Sequence, residues 1–216
     1  MGQASRRRAE RRAQRKKPTV ADSVTLRRLE RKDLPEVQVL LRDVAENAES
    51  QNLDLHFAEP STDNQFATCL VAERQGAVVG VAGGAGLNLT LGELGVTKVE
   101  IARRIRLLDF LAVRPTDRGA GLGTLLTTTL LDRFRGDGAR LVVAHLAAGR
   151  HDLVPVYTAW GWTIEPRGAG LPIQIGSDPL VIGDAPTLRG AWKALAPGVR
   201  ATSLPGIRVP VVTGAA

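Results

Sequence analysis

Between positions 107 and 131 the chain reads LLDFLAVRPTDRGAGLGTLLTTTLL, and its apolar residues change period within that span. Residues 107–113 are apolar apart from Asp109, which marks a strand buried on both faces, and Pro115 removes a backbone donor just beyond it. Leu122, Leu125, Leu126, Thr129 and Leu130 then recur at helical spacing until Gly136 and Gly138 end the run. The pattern predicts a strand, a glycine-rich turn and an amphipathic helix, the unit around which the chain is organised.

The same periodicities assign the flanking segments. Residues 24–29 read as a first strand, and Asp33 as the cap of a helix with Leu34, Val37, Leu41 and Val44 on one face. Residues 69–73 and 77–83 make two strands about Arg74-Gln75-Gly76, a hairpin signal. In 98–106 Val99, Ile101 and Ile105 alternate with Glu100, Arg104 and Arg106, which extends the central strand backwards. Residues 140–146 read as a buried strand and 152–159 as a short helix whose first turn tolerates Pro155. The last two strands are expected at 163–174 and 187–195, across a connection rich in glycine and proline. Residues 46–66 are polar and aperiodic, a connection with a short second helix, and from 196 onward no period emerges.

Composition bounds the domain plan. With 216 residues, 44% of them hydrophobic, the chain can bury one substantial core. The expected plan is a disordered basic arm over 1–20, a folded domain over 21–195 and a loose tail over 196–216. Residues 1–17 carry eight Lys or Arg against Glu10, so 8 − 1 = +7, which is the net charge of the whole chain. The high pI therefore belongs to the arm, a solvated segment or a weak contact for nucleic acid or an anionic surface. The single cysteine, Cys69, excludes an internal disulfide framework and reads as a small buried hydrophobe. No apolar run approaches the roughly 18 residues of a membrane span, so a reducing cytoplasm is the expected compartment.

The candidate chemistry begins at the turn, Arg118-Gly119-Ala120-Gly121-Leu122-Gly123. Alternating glycines clear the way to the backbone, and the following helix points unpaired N–H groups and its positive end at whatever approaches, which favours phosphate or pyrophosphate. The spacing is not that of a dinucleotide fingerprint, because Thr124 stands where its last glycine would be, and no lysine supplies a P-loop. Arg-x-x-Gly-x-Gly directly after Leu-Ala-Val-x-Pro resembles instead the acetyl-CoA motif of the GNAT N-acetyltransferase superfamily. The spacing from Arg27 to Asp33 is similar to that family's opening, and Tyr157-x-x-Trp160-Gly161-Trp162 resembles its closing motif; the resemblance spans residues 24–195.

That resemblance implies an α/β (α+β) fold, a mixed, mostly antiparallel twisted sheet with helices on both faces, and acetyl-CoA as cosubstrate. It implies that the backbone of Leu111, Ala112 and Val113 meets the pantetheine arm, with the Val113 N–H facing the thioester oxygen. Arg118, Gly119, Ala120, Gly121, Leu122, Gly123 and Thr124 would hold the pyrophosphate. Arg150 stands where the family often has an asparagine touching the cofactor's amide arm, and residues 46–66 would border the acceptor.

Tyr157 matches the tyrosine that commonly gives a proton to the departing thiolate; a phenol near pKa ~10 stays protonated where a thiol near ~8.5 has ionised. As the only tyrosine it also reads as a core aromatic. Two residues are open as base or amine-positioning group. Asp109 is expected on the strand face of Leu111 and Val113. His145 sits where some protein N-terminal acetyltransferases carry a catalytic glutamate, and its ordinary pKa of ~6.5 suits proton acceptance. His56 and His151 complete no metal-ligand pattern, so no metal is expected. The expected function is acetyl transfer to an amine of a small molecule or of a protein N-terminus or lysine. The rivals are a catalytically silent acyl-CoA-binding or regulatory module and a nucleic-acid-associated protein using the basic arm. Neither the acceptor nor the oligomeric state is written in the pattern.

Overall fold

The computed structural model describes residues 24–42, 53, 66–87, 98–175, 178–182, 185–203 and 211–215. The basic arm, Val44, nearly all of 46–66, and 88–97 lie outside the described residues. β1 (Thr25–Arg28) runs antiparallel to β2 (Thr68–Arg74), and β2 to β3 (Ala77–Gly86). Gln75 (φ 52°) and Gly76 (φ 82°) make the two-residue left-handed turn that a tight hairpin needs.

Asp33 does not cap the first helix as expected. It ends a one-turn 3-10 segment, Arg31–Asp33, and reaches backwards: Oδ2 accepts the Glu30 N–H at 2.8 Å, and both oxygens accept from the Arg27 guanidinium at 2.6 and 2.7 Å. Arg27 also donates to Glu73 at 2.8 Å, so the three side chains tie the helix entry to the β1–β2 pair. The Arg27 bonds hold the Asp33 carboxyl below the usual carboxylate range. Helix α1 (Leu34–Arg42) begins one residue later and buries Val37, Leu40 and Leu41.

The central strand β4 is shorter than expected, spanning Ile105–Val113, because Lys98–Arg104 is a helix, α2. Ile101, Ala102 and Ile105 are buried at helical spacing; Ala102 is the small buried position that the alternation of charged and apolar residues concealed. α3 (Leu122–Gly136) and β5 (Leu141–Ala147) follow as a crossover that returns β5 parallel to β4. Then come α4 (Leu153–Ala159) and β6 (Thr163–Ile164).

The C-terminal third departs most from expectation. In place of a strand over 163–174 there are β6 and, after Gly168 and Gly170 with positive φ, β7 (Leu171–Ile175), which hairpins with β8 (Asp178–Ile182). β9 (Leu188–Ala194) is the strand expected at 187–195. The expected loose tail instead supplies β10 (Arg200–Thr202) and β11 (Val211–Thr213), with Val211, Val212 and Ala215 buried. These strands are too short to carry a sequence period, and their burial comes from partners far along the chain.

Seven strands form the large sheet in the order β1-β2-β3-β4-β5-β9-β6, mixed and mostly antiparallel, and four form a second in the order β10-β11-β7-β8. On one face of the large sheet, Leu122, Leu126, Leu130 and Phe134 of α3 pack with Tyr157 and Trp162 over Leu70, Ala82, Leu108 and Val142. The opposite face carries α1 over Val71, Val81, Phe110 and Ala112, and the second sheet over Leu141, Val143 and Trp192. No helix among the described residues is long and apolar enough to cross a membrane.

The second sheet is part of the fold's stability. Val212 is 1% exposed and lies opposite Ile173 in the parallel β11–β7 contact. Val212→Ala removes about two buried methylene equivalents and is expected to cost about 2 kcal/mol, a melting shift of roughly 4–8 °C. Thermal unfolding by circular dichroism checks it; an unshifted midpoint would return this segment to a loose tail.

Candidate active site

The site is set by how β4 meets its two neighbours. Towards β3 the register skips a residue: Gly83 lies opposite Phe110 and Gly84 opposite Leu108, so Asp109 is the extra residue of a bulge. The glycines allow that close approach, since a Cβ on Gly84 would stand 2.1 Å from the Leu107 carbonyl oxygen. Towards β5 the parallel pairing stops at Leu108 opposite Ala144, and beyond that rung the two strands separate. Arg114 N–H bonds the Val79 carbonyl at 2.9 Å, so by the alternation of the pleat Ala112 also turns its backbone groups to β3, while Leu111 and Val113 turn theirs to the split. Ala112, expected with them on the pantetheine arm, is therefore directed the other way. The Val113 carbonyl accepts from Arg118 Nε at 2.9 Å.

The glycine turn stands beside that split. A 3-10 turn, Pro115–Asp117, leads to Gly119 (φ 75°) and Gly121 (φ 85°), and α3 starts at Leu122 as expected. Asp117 is buried and paired with Arg74, with Thr116 Oγ1 donating to it at 3.1 Å, so the turn is anchored to the β2–β3 hairpin. A Cβ on Gly119 or Gly121 would meet nothing within 4 Å: these glycines serve the left-handed backbone and leave the approach to the turn open. The fit to a pyrophosphate rests on that open approach, the N–H groups of the first turn of α3 and the positive end of a 15-residue helix.

On this same face α4 brings Tyr157 in. Its ring lies 5.2 Å from Trp162 and 5.4 Å from Trp160, and burial pushes its pKa up to about 12, with Arg150 opposing. The phenol therefore keeps its proton throughout the neutral range. Arg150 sits between β5 and α4, its guanidinium bound to Asp152 by two bonds of 2.9 Å. Two features of this wall escaped the sequence. Trp160 Nε1 donates to Thr124 Oγ1 at 3.1 Å and its ring lies over Gly123, clamping α4 to the start of α3, while Lys193 donates to the Trp160 carbonyl. Trp160 stood inside the closing motif without a role; the Arg74–Asp117 anchor had no sequence signal at all.

Of the two candidate bases, His145 lies towards the other face by the alternation of β5. Asp109 is the bulged residue of β4, where the alternation of the pleat breaks, so period alone ties it neither to the face of Leu107 nor to that of Leu111 and Val113. Leu107 and Val143 face one another in the second-sheet cluster, and two residues further along the regular strand β5 comes His145, on that side where the split opens. The Asp109 charge is felt by Cys69, a buried residue of the α1-side cluster, whose thiol is pushed up mainly by burial and sits far from any nucleophilic state. Asp109 keeps solvent contact at its surface, yet its carboxyl is crowded enough that burial pushes its pKa up to about 7. Solvent access moderates that shift without reversing it. Burial likewise lowers the His145 pKa below its ordinary value, which keeps the ring neutral. Across β9, His145 lies opposite Gly190, where a Cβ would stand 3.4 Å from Leu171 of β7, so the second sheet walls this side.

A sheet split beside a glycine turn at a helix N-terminus, with a buried phenol on one face, is an arrangement that can seat an acyl-transfer reaction. The sequence model of the GNAT acetyltransferase family matches residues 26–162, well over half of the chain. No curated protein sequence matches it. Solved structures share the fold at low identity. Ard1 from Thermoplasma volcanium is 18% identical over 81% of this chain and 99% of its own, with a TM-score of 0.56. The ribosomal-protein-alanine N-acetyltransferase from Brucella melitensis is 22% identical over 79% and 99%, at 0.55. The phosphinothricin acetyltransferase from Sinorhizobium meliloti, solved in complex with AcCoA, is 17% identical over 86% and 96%, at 0.57. The chain belongs to the GNAT acetyltransferase family. It is an acyltransferase enzyme.

Proposed function

We propose that the chain moves the acetyl group of acetyl-CoA to an amine, carried by a small molecule or by a protein N-terminus or lysine, with donor and acceptor entering the split from opposite faces. The observation that supports this reading is the end of the β4–β5 pairing after Leu108 and Ala144, on the face that carries Tyr157 and close to the bulge at Asp109 and to His145 on β5. Bound acetyl-CoA supplies an activated thioester. The turn from Arg118 to Thr124 holds its pyrophosphate by backbone N–H groups, and Arg118 moves off the Val113 carbonyl or stays to orient it. Leu111 and Val113 offer the backbone groups an unpaired strand edge provides, the Val113 N–H acting as oxyanion donor. Arg150 lies where it can meet the donor's amide arm. Asp109 or His145 takes a proton from the acceptor's ammonium, the neutral amine then attacks the thioester carbon, and as the C–S bond breaks Tyr157 gives its proton to the departing sulfur.

Calorimetry with acetyl-CoA, followed by thiol release across polyamines, aminoglycosides, amino acids and peptides with free N-termini, tests the reading. Binding without thiol release from any amine would make the chain a silent acyl-CoA module. The pH profile separates the two bases. Asp109 accepts a proton only as carboxylate, so kcat/KM rises with pH through about 7, and Asp109→Asn removes that limb and lowers the rate by roughly 10²–10⁴. A limb below about 6.5 that survives Asp109→Asn assigns the base to His145. Stability follows the opposite sign: burial favours the neutral Asp109 carboxyl, so its contribution is lost as pH rises from the ordinary carboxylate range to about 7.

A further inference from the structure

At the opposite end of β4 from the split, the C-termini of α2 and α3 and the start of β5 surround a depression of about 580 Å³ lined by Arg103, Arg104, Gly136, Asp137, Gly138 and Arg140. That volume falls within the roughly 300–1,000 Å³ of ordinary ligand sites, but no apolar side chain lines it. Beside it is Arg106, the largest fully buried side chain, at 0% exposure. Its Nη1 donates to the Ala102 carbonyl at 3.1 Å, while Nε and Nη2 have no hydrogen-bond partner among the described residues. The guanidinium stacks 4.2 Å from the Phe66 ring and 5.6 Å from that of Phe134, and its nearest carboxylate oxygen is Asp137 Oδ2 at 3.9 Å.

Four guanidinium charges thus gather about one depression against two carboxylates, Asp137 and Glu100, the latter 3.8 Å from Arg104. Arginines at helix C-termini complement the helix dipole, which accounts for one charge per helix end and not for a convergence of this size. Arg140 Nε and Nη2 are engaged by the Gly214 and Pro197 carbonyls, which fixes the guanidinium at the rim without cancelling its charge. Asp137 also lines the depression, so three guanidinium groups, Arg103, Arg104 and Arg140, face it against one carboxylate and leave it net positive. Planar guanidinium forks match phosphate oxygens by paired hydrogen bonds, and convergent positive charge draws a multiply charged anion more strongly than a single one.

We propose that this depression is a second anion site, taking a compact phosphate-bearing small molecule such as a pyrophosphate or a phosphate ester. Arg106 and Val113 are seven residues apart on β4, on the order of 23 Å at strand rise, so the site is separate from the acetyl-CoA turn. The absence of an apolar wall favours a ligand that is mostly phosphate over one that must bury a base or an acyl chain.

The test is calorimetry of the full chain with inorganic pyrophosphate in the presence of saturating acetyl-CoA, which occupies the glycine turn. One pyrophosphate per chain is expected, weakened at least tenfold in Arg103→Gln/Arg104→Gln, whose positions on the surface of α2 leave the core untouched. Acetyl transfer by that variant, measured without added anion, should match wild type. Orthophosphate and a phosphate monoester run beside pyrophosphate distinguish a bare anion from an ester as the better ligand. Backbone amide shifts of the wild type give a second readout that needs no variant: perturbation of residues 136–140 supports the site, and perturbation confined to 118–124 overturns it. Equal affinity in the double variant, or no binding once acetyl-CoA is present, also overturns it. So does a single-stranded oligonucleotide that binds through these arginines more tightly than pyrophosphate, since the depression would then be part of a nucleic-acid surface.

Discussion

Gly121→Val is expected to reduce acetyl-CoA affinity at least a hundredfold while leaving a folded protein. Gly121 holds φ 85° and ψ 3° at the N-cap of α3, a left-handed conformation that a β-branched residue adopts only at a cost of about 1–3 kcal/mol. A Cβ there meets no protein atom within 4 Å, so the substitution adds no clash to that strain, and a domain stable by roughly 5–15 kcal/mol survives it. What changes is the open side of the turn. A branched side chain occupies the approach to the N–H groups of α3, and relaxing φ turns those groups away. Calorimetry measures the loss and circular dichroism the fold; a folded Gly121→Val that binds acetyl-CoA like wild type removes the turn from the site.

Tyr157→Phe should do the reverse, keeping donor affinity and lowering kcat by roughly 10²–10⁴, the usual contribution of a positioned proton donor. Phenylalanine preserves the ring packing against Trp160 and Trp162, so the wall of the split stays in place. With a pKa of about 12, Tyr157 stays protonated well past the pH where a thiol ionises, and it contributes no limb to the rate profile below pH ~11. Steady-state kinetics with a productive amine decide it: loss in KM with kcat unchanged would make Tyr157 a packing residue only.

The β4–turn–α3 unit was legible in the sequence because every signal in it is local: an apolar run, a proline stop, glycines that need positive φ, and a helical repeat. The Gln75-Gly76 hairpin was legible for the same reason. Helix α2 was not, since Val99, Ile101 and Ile105 satisfy an alternating pattern while Ile101, Ala102 and Ile105 satisfy a helical one, and burial of a small alanine decides between them. Asp33 failed as a cap because the partner that claims it, Arg27, sits six residues back on another element. The bulge at Asp109 was not legible because it leaves its trace in the glycines of β3, a different strand. Strands β10 and β11 are held by β7, whose pairing no periodicity encodes.

An unpaired strand edge is normally a hazard, since its row of free donors and acceptors can recruit the same edge of another molecule and seed aggregation. Here the exposed rungs of Leu111 and Val113 lie in the middle of the sheet instead of at its rim, with α3 and Trp160 on one side and the continuing β5–β9 pair on the other. Flanked on both sides by its own structure, that edge is shielded from a second chain's strand in a way that a rim edge is not. Placing the gap inside the sheet lets the protein keep an edge for recognition without offering it to its own kind.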